Sequence, residues 1–353
     1  MRLRLHGIVA ASWLARGFLA CSLWPLSQIY ASLVTLRRYF YQWGWLKSRR
    51  ANAVVVVVGN VLAGGVGKTP TVMAVVEHLL AQKYRPGIIS RGYGRTTTAC
   101  TEVLSNSFSQ DVGDEPLLMH QTTGVPVFVA RSRHAAAQAL LQKHPETDII
   151  VSDDGLQHYG LYRDVEICVF DNRGCGNGWM LPAGPLREAW PRKPLGIVGQ
   201  RQDRFLVLHT GNVPAFGGYT AQRSLAPFAI LHDGGTVSLD SLRIPGEKPL
   251  LAVAGVGQPE AFFTMLRALH IPLARTLALP DHYVFDSISR SIFVGYTIIC
   301  TQKDAMKLWQ IEPSAIAIPL EMKLDPLLCI ELDAHLSQLL PAKLSSRHGH
   351  KTT

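Results

Sequence analysis

Val54–Val58 is an unbroken run of five β-branched residues, the pattern of a parallel strand buried on both faces. A glycine-rich turn follows, and then a helix-compatible run from Thr71 to Leu80. Apolar runs recur at Pro86–Ser90, Val125–Ala130, Asp148–Ser152 and Val165–Phe170, with an Ala-rich helical stretch at Arg133–Lys143. Strands alternating with helices predict a doubly wound parallel sheet. In such a sheet a ligand lies at the carboxyl ends of the strands. The polar clusters Arg91-Gly92-Tyr93-Gly94-Arg95 and Asp153-Asp154-Gly155 both fall at such ends.

Strand, glycine loop and helix in that order form the context of a phosphate-binding loop. The stretch Leu62-Ala63-Gly64-Gly65-Val66-Gly67-Lys68-Thr69 would cradle nucleotide phosphates with backbone N–H groups and the start of the following helix. Lys68 supplies a point charge to the β/γ-phosphates, Thr69 a hydroxyl for Mg²⁺, and Pro70 fits the first helical turn. Leu62 stands where the strict motif has glycine, so the loop resembles variant forms. ATP and Mg²⁺ are the expected cofactors.

From Phe205 to Leu239 the pattern changes to short strands and Gly turns, which predict an antiparallel connector. Leu250–Ala254, a Gly turn and a helical run from Glu260 to Leu269 open a second α/β unit. The expected fold is α/β: a P-loop NTPase-like parallel-sheet domain and a smaller α/β domain, joined by an antiparallel β connector and preceded by a membrane-associated helix. The expected boundaries are 1–50 for the apolar and basic N-terminal segment, 51–204 for the core, 205–247 for the connector, 248–344 for the smaller domain and 345–353 for a disordered polar tail.

Gly17–Leu36 is twenty residues without a charge, flanked by Arg16 and by Arg37-Arg38. The length suits a bilayer span, but Ser22, Pro25, Ser27, Gln28, Ser32 and Thr35 dilute it, and Trp24 and Tyr30 suit an interface. The run reads as a helix lying in a membrane surface in preference to a full span or a buried core helix. The formal charge of +9 is concentrated beside it, at Arg37, Arg38, Lys47, Arg49 and Arg50. That placement fits anionic lipid better than nucleic acid, although a solvated basic face has the same composition. Apolar residues at 47% against 17% charged indicate a folded chain. Six scattered cysteines without a Cys-x-x-Cys pair suit a reducing cytoplasm.

Asp153-Asp154, after an apolar strand downstream of the loop, sit where an acid that holds Mg²⁺ belongs. Asp111-Val112-Gly113-Asp114-Glu115-Pro116 is an acidic loop before a helix, readable as a cap or as a site. Leu181-Pro182-Ala183-Gly184-Pro185-Leu186-Arg187-Glu188 delivers an Arg-Glu pair, for phosphate and metal or as a surface ion pair. His282, in Pro280-Asp281-His282-Tyr283, is either structural or catalytic.

These motifs, together with Gly59-Asn60, Gln157-His158 and Thr301-Gln302-Lys303-Asp304-Ala305, closely resemble in order and spacing the tetraacyldisaccharide 4′-kinases of lipid A biosynthesis, over roughly residues 20–310. Gln302 departs from the family's Glu. The resemblance implies transfer of the ATP γ-phosphoryl to the 4′-hydroxyl of a tetraacylated glucosamine disaccharide 1-phosphate. It also implies a peripheral or monotopic enzyme on the cytoplasmic face of a bacterial inner membrane. By that resemblance Asp114 is the base and His282 its partner across a cleft, and Lys68 and Thr69 hold phosphate and Mg²⁺. Asp153, Asp154 and Glu188 are further metal ligands, while Asn60, Tyr93, His158 and Arg187 meet the substrate. The implied partners are the lipid disaccharide and the membrane surface, with no nucleic acid and no protein partner. A membrane-associated ATPase switch without a lipid acceptor is the alternative.

Overall fold

The computed structural model describes residues 12–192, 202–211, 213–244, 246–281, 283–285 and 288–348. The chain forms two compact units, one drawn from the residues before Arg223 and after Lys323, the other Arg223–Lys323.

The first unit is built on β1 (Val54–Gly59), every residue of which is buried. It pairs in parallel with β5 (Ile149–Asp153) on one side and β6 (Val165–Phe170) on the other. Burying each valine contributes about 1.5–3 kcal/mol, so this run is the natural centre of the sheet. β2 (Pro86–Ser90) and β4 (Val127–Val129) extend the parallel array beyond β5, and β3 (Thr101–Val103) closes that edge antiparallel to β4. On the other side β7 (Phe205–His209) and β8 (Tyr219–Leu225) continue it in parallel, and β15 (Leu320–Leu324) follows β8. The order across this nine-stranded sheet is β15-β8-β7-β6-β1-β5-β2-β4-β3.

The helices lie where the pattern places them. α2 (Lys68–Ala81) begins directly after the glycine loop and buries Val72, Val75, Val76 and Leu79 at helical spacing. α3 (Ser109–Val112) and α4 (Asp114–Thr123) follow β3, and α5 (Arg133–Lys143) follows β4 with Ser132 as its N-cap. The stretch expected to be a separate antiparallel connector instead supplies β7 and β8 to the parallel sheet. Within that stretch, antiparallel pairing comes with β9 (Phe228–Ile230) and β10 (Thr236–Ser238).

In the second unit, β11 (Leu250–Ala254), β12 (Leu273–Ala278), β13 (Thr297–Thr301) and β14 (Ile316–Ile318) are parallel, while β9 runs antiparallel to β14. α6 (Pro259–Ala268) buries Phe262, Phe263 and Leu266, and α7 (Gln302–Leu308) is capped by Thr301. The final helix, α8 (Pro326–His348), belongs with the first unit, where His78 Nε2 lies 2.9 Å from Asp333 Oδ1. The compact second unit therefore ends at Lys323 and not at 344. Residues 345–348, expected in a disordered tail, continue the helix.

α1 (Phe18–Gln42) extends about 37 Å at ~1.5 Å per residue. One face docks on the protein: Ala20 and Ser27 are buried and Leu23, Tyr30, Val34, Arg38 and Tyr41 half-buried, a helical spacing. Ser27 Oγ donates to the Met180 carbonyl at 2.8 Å and Tyr30 Oη to the Arg187 carbonyl at 3.1 Å. The outer face presents Leu26, Ile29, Leu33 and Leu36, all exposed. This is one helix long and apolar enough to cross a membrane. Its seat on the Met180–Arg187 segment places one side against protein.

Candidate active site

The loop between β1 and α2 is gripped from outside. Arg173 Nη2 donates to the Gly65 carbonyl at 3.0 Å and Nη1 to the Ala63 carbonyl at 3.4 Å, while Thr210 Oγ1 donates to the Val66 carbonyl at 2.8 Å. Asp171, just past β6, aims that arginine, accepting from its Nε at 2.9 Å. A loop whose carbonyls are drawn to one side turns its N–H groups to the other, the concavity that anions occupy. Gly67 caps α2 at φ +88°, a left-handed conformation that strains any side chain. The Pro185–Arg187 stretch braces the opposite edge: Ala63 N donates to the Pro185 carbonyl and Arg187 N to the Val61 carbonyl, both at 2.7 Å. Leu62, at the departure from the strict motif, is fully buried and bridges Leu186.

Lys68 points from the first turn of α2 toward the end of β5. Its Nζ lies 3.4 Å from Asn60 Oδ1 and 3.7 Å from Asp154 Oδ1. Arg187 Nη1 reaches the same carboxylate at 3.2 Å. Burial alone would raise the Asp154 pKa, but Lys68 and Arg187 overcome it and hold the carboxyl below its ordinary range. Asn60, expected to touch substrate, is instead fully buried, and its backbone carbonyl accepts from Gln157 Nε2 at 2.9 Å. Its side chain serves Lys68.

Asp153 has the opposite surroundings. Burial, then Glu115 and Asp154, push its pKa up to about 6, against Arg133 and a 2.9 Å hydrogen bond from Ser90 Oγ to its Oδ2. Its Oδ1 is buried without a hydrogen-bond partner. An orphaned carboxylate oxygen raised by neighbouring acids suits a divalent cation. Mg²⁺ takes only one or two carboxylates beside phosphate oxygens and water. No cluster of three or more His, Cys, Asp or Glu stands ready for a metal among the described residues. Of the sequence candidates, Asp153 carries the orphaned oxygen, Thr69 stands half-buried in the first turn of α2, and Asp154 pairs with Lys68 and Arg187. Glu188 is buried at 1% exposure; its Oε2 lies 3.2 Å from Arg192 Nε, and its Oε1, like Asp153 Oδ1, has no hydrogen-bond partner. Arg192 in turn bridges to Glu166, which also pairs with Arg163, each at 2.9 Å. Arg187 and Glu188 thus diverge, one toward the site and one into the core.

Asp114 opens α4, half-buried, with Glu115 beside it in the same turn. Gly113 has φ +94°, and a Cβ there would stand 3.1 Å from the Tyr93 carbonyl, so the Tyr93 loop packs directly on the start of this helix. The Tyr93 side chain is exposed. His158 is half-buried; burial first, and then Arg133, lower its pKa to about 4, so it is neutral at pH 7. His282 lies outside the described residues.

Five contributors were not among the sequence candidates: Arg133, Ser90, Gln157, Glu115 and Arg173. Arg133 Nη2 donates to the Asp153 carbonyl at 2.8 Å. Its one sequence signal is a charged residue opening an Ala-rich helix. Ser90, Gln157 and Glu115 lie within recognisable motifs, but Arg173 acts across 108 residues of chain and leaves no local pattern.

The chain is similar to known proteins along nearly its whole length. Residues 19–339 match the family described as LpxK, tetraacyldisaccharide-1-P 4′-kinase. The chain is 49% identical over 350 residues to the tetraacyldisaccharide 4′-kinase of Polaromonas naphthalenivorans (strain CJ2), covering 98% of this chain and 99% of that one. It is 50% identical over 338 residues to the enzyme of that name from Acidovorax ebreus (strain TPSY), covering 95% of each. The crystal structure of the "apo" form of LpxK from Aquifex aeolicus in complex with ATP superposes with a TM-score of 0.74 at 28% identity, over 90% of this chain and 100% of that chain. The chain belongs to the tetraacyldisaccharide 4′-kinase family of lipid A biosynthesis.

Proposed function

We propose that this site moves the γ-phosphoryl of ATP to the 4′-hydroxyl of a tetraacyldisaccharide 1-phosphate at a membrane surface. The observation that carries the reading is Lys68, which faces the acid pair from the phosphate loop and is held there by Asn60 and Asp154. Nucleotide phosphates would draw Lys68 from Asp154, and the lysine then follows charge onto the transferring group. Phosphoryl transfer asks a protein chiefly for position and charge compensation. Thr69 and Asp153 would hold Mg²⁺, which neutralises charge on the phosphate oxygens. Arg187 is free at 27% exposure to turn from Asp154 to an anion. Asp114 accepts the proton of the attacking hydroxyl, the role a carboxylate has in kinases generally.

A lipid acceptor explains α1. Its docked face is satisfied by the protein, and its outer row of Leu26, Ile29, Leu33 and Leu36 lacks protein cover. A helix seated this way lies in the lipid surface and does not cross it. The direct test is radiolabelled ATP with detergent-solubilised tetraacyldisaccharide 1-phosphate. A bisphosphorylated lipid is expected; ATP hydrolysis without a labelled lipid would refute the reading.

A further inference from the structure

Asp154 has φ +44°, a left-handed backbone that few residues other than glycine adopt. Such a conformation persists where its surroundings fix it, and here the carbonyls on both sides of it are held. Before it, the Asp153 carbonyl accepts from Arg133 Nη2 at 2.8 Å. After it, two guanidinium groups converge on the Leu156 carbonyl, Arg163 Nη1 at 2.7 Å and Arg192 Nη2 at 3.3 Å. The turn between them has no slack: a Cβ on Gly155 would stand 2.6 Å from Ser152 Oγ and 2.9 Å from Val57 Cγ1.

Arg192 does more than close that turn. Its Nη1 donates to Glu166 Oε1 at 2.9 Å and its Nε to Glu188 Oε2 at 3.2 Å. Glu188 follows Arg187, whose Nη1 lies 3.2 Å from Asp154 Oδ2 and whose amide binds the Val61 carbonyl. One planar group therefore ties the Asp153–Leu156 turn to the segment that delivers Arg187. The Arg192 side chain is 4% exposed. With Arg163, Glu166 and Glu188 it makes a buried set of two cations and two carboxylates. Such a set contributes little stability over apolar packing, because desolvation offsets the attraction. It does supply direction, since the guanidinium fork has a fixed geometry.

We propose that Arg192 is a positioning residue for phosphoryl transfer, holding the Asp153–Leu156 turn and Arg187 in one register without itself touching ATP or acceptor. The proposal rests on the kinase reading above. Reacting groups tolerate little displacement: an error of about 1 Å set by a distant residue costs on the order of 10²-fold in rate. Arg192 acts on that tolerance from two sides, through the Leu156 carbonyl and through Glu188.

The test is steady-state kinetics of the full chain with ATP and detergent-solubilised tetraacyldisaccharide 1-phosphate. Arg192→Lys keeps the charge beside Glu166 and Glu188 but loses the fork, and is expected to lower kcat at least about tenfold while the KM for ATP stays within about twofold. A purely structural need for charge would be met by lysine, so wild-type kcat in the folded variant overturns the proposal. Glu166→Gln keeps the shape and removes the charge that both arginines share, a second route to the same split should Arg192→Lys fail to fold. Leu332→Ala, a truncation of a fully buried residue of α8, is the control: it is expected to lower the melting temperature and leave kcat unchanged. A kcat loss of the same size there would mean general destabilisation and also overturns the proposal. Arg187→Met combined with Arg192→Lys closes a double-mutant cycle. Because both act at Asp154, the double variant should be little worse than Arg187→Met alone, and fully multiplicative losses would break the link. Wild-type enzyme that leaves the disaccharide unphosphorylated would sink the kinase reading, and the positioning role with it.

Discussion

Asp153 and Asp154 are adjacent in the chain and titrate in opposite directions. Asp153 is raised to about 6 by burial and by Glu115, while Asp154 is held down by Lys68 and Arg187 despite its own burial. The signs follow from linkage. Between the unfolded carboxyl value near ~3.9 and about 6, the native state binds a proton at Asp153 that the unfolded chain releases, so this group costs stability as pH rises. Asp154 contributes stability above the unfolded value and loses it as pH falls through its lower folded value. Asp153→Asn should therefore raise the melting temperature at pH 7 more than at pH 5 while abolishing transfer. Equal shifts at both pH values would contradict the raised carboxyl.

Metal dependence should share that pH window. Protonated Asp153 has no charge to offer Mg²⁺, so the Mg²⁺ concentration for half-maximal rate should climb about tenfold per pH unit below about 6. A Mg²⁺ titration at several pH values checks this, and a flat profile would remove Asp153 from the metal site.

Lys68→Ala should lower kcat by at least ~10²-fold, the scale of about 3 kcal/mol for one lost transition-state contact. Near-normal turnover at saturating ATP would refute the assignment of the loop. The variant also strips Asp154 of one of its two cations, so its pKa should rise and acid stability fall. Acid titration of both proteins measures that.

Arg173→Ala should act on binding rather than chemistry. Its guanidinium shapes the Ala63 and Gly65 carbonyls from outside the loop, and losing such charge-assisted bonds should raise the KM for ATP roughly tenfold with a smaller change in kcat. Arg173→Lys, which restores charge without the fork, should recover only part of it. A kcat collapse at unchanged KM would show that Arg173 touches the reacting groups.

Asp114→Asn should depress kcat far more than it raises KM, because a base acts in the transition state. Steady-state kinetics with lipid acceptor tests it; a rise confined to KM would make Asp114 a binding group.

The parallel core was legible because its signals are local. Val54–Val58, the Gly-Gly-x-Gly-Lys-Thr loop and Arg133–Lys143 each announce one element within a dozen residues, and Pro86–Ser90, Val165–Phe170 and Leu250–Ala254 appear with the bounds their apolar runs suggest. Phe205–His209 was misjudged because its short, Gly-flanked run looks the same in a hairpin as at a parallel edge. Only its pairing with Glu166–Phe170 distinguishes the two. The burial of Glu188 was not legible for a different reason: adjacent residues on an irregular loop need not share a direction, and its partner Arg192 has no motif. Asn60 was found as part of the site, but burial, which turns it from a substrate contact into a support for Lys68, is not written in its neighbours.

The peptide at Arg187 is held from two sides. Its carbonyl takes the Tyr30 hydroxyl of α1, and its amide binds the Val61 carbonyl beside the phosphate loop. On the membrane-surface reading proposed above, an enzyme anchored through that joint would hunt for its acceptor in two dimensions instead of three. Confinement to the plane in which the lipid diffuses raises the effective concentration of each for the other without one added contact. Catalytic rate then scales with the surface density of acceptor, and diluting the bilayer with inert lipid should slow the enzyme even when the total acceptor in the tube is unchanged.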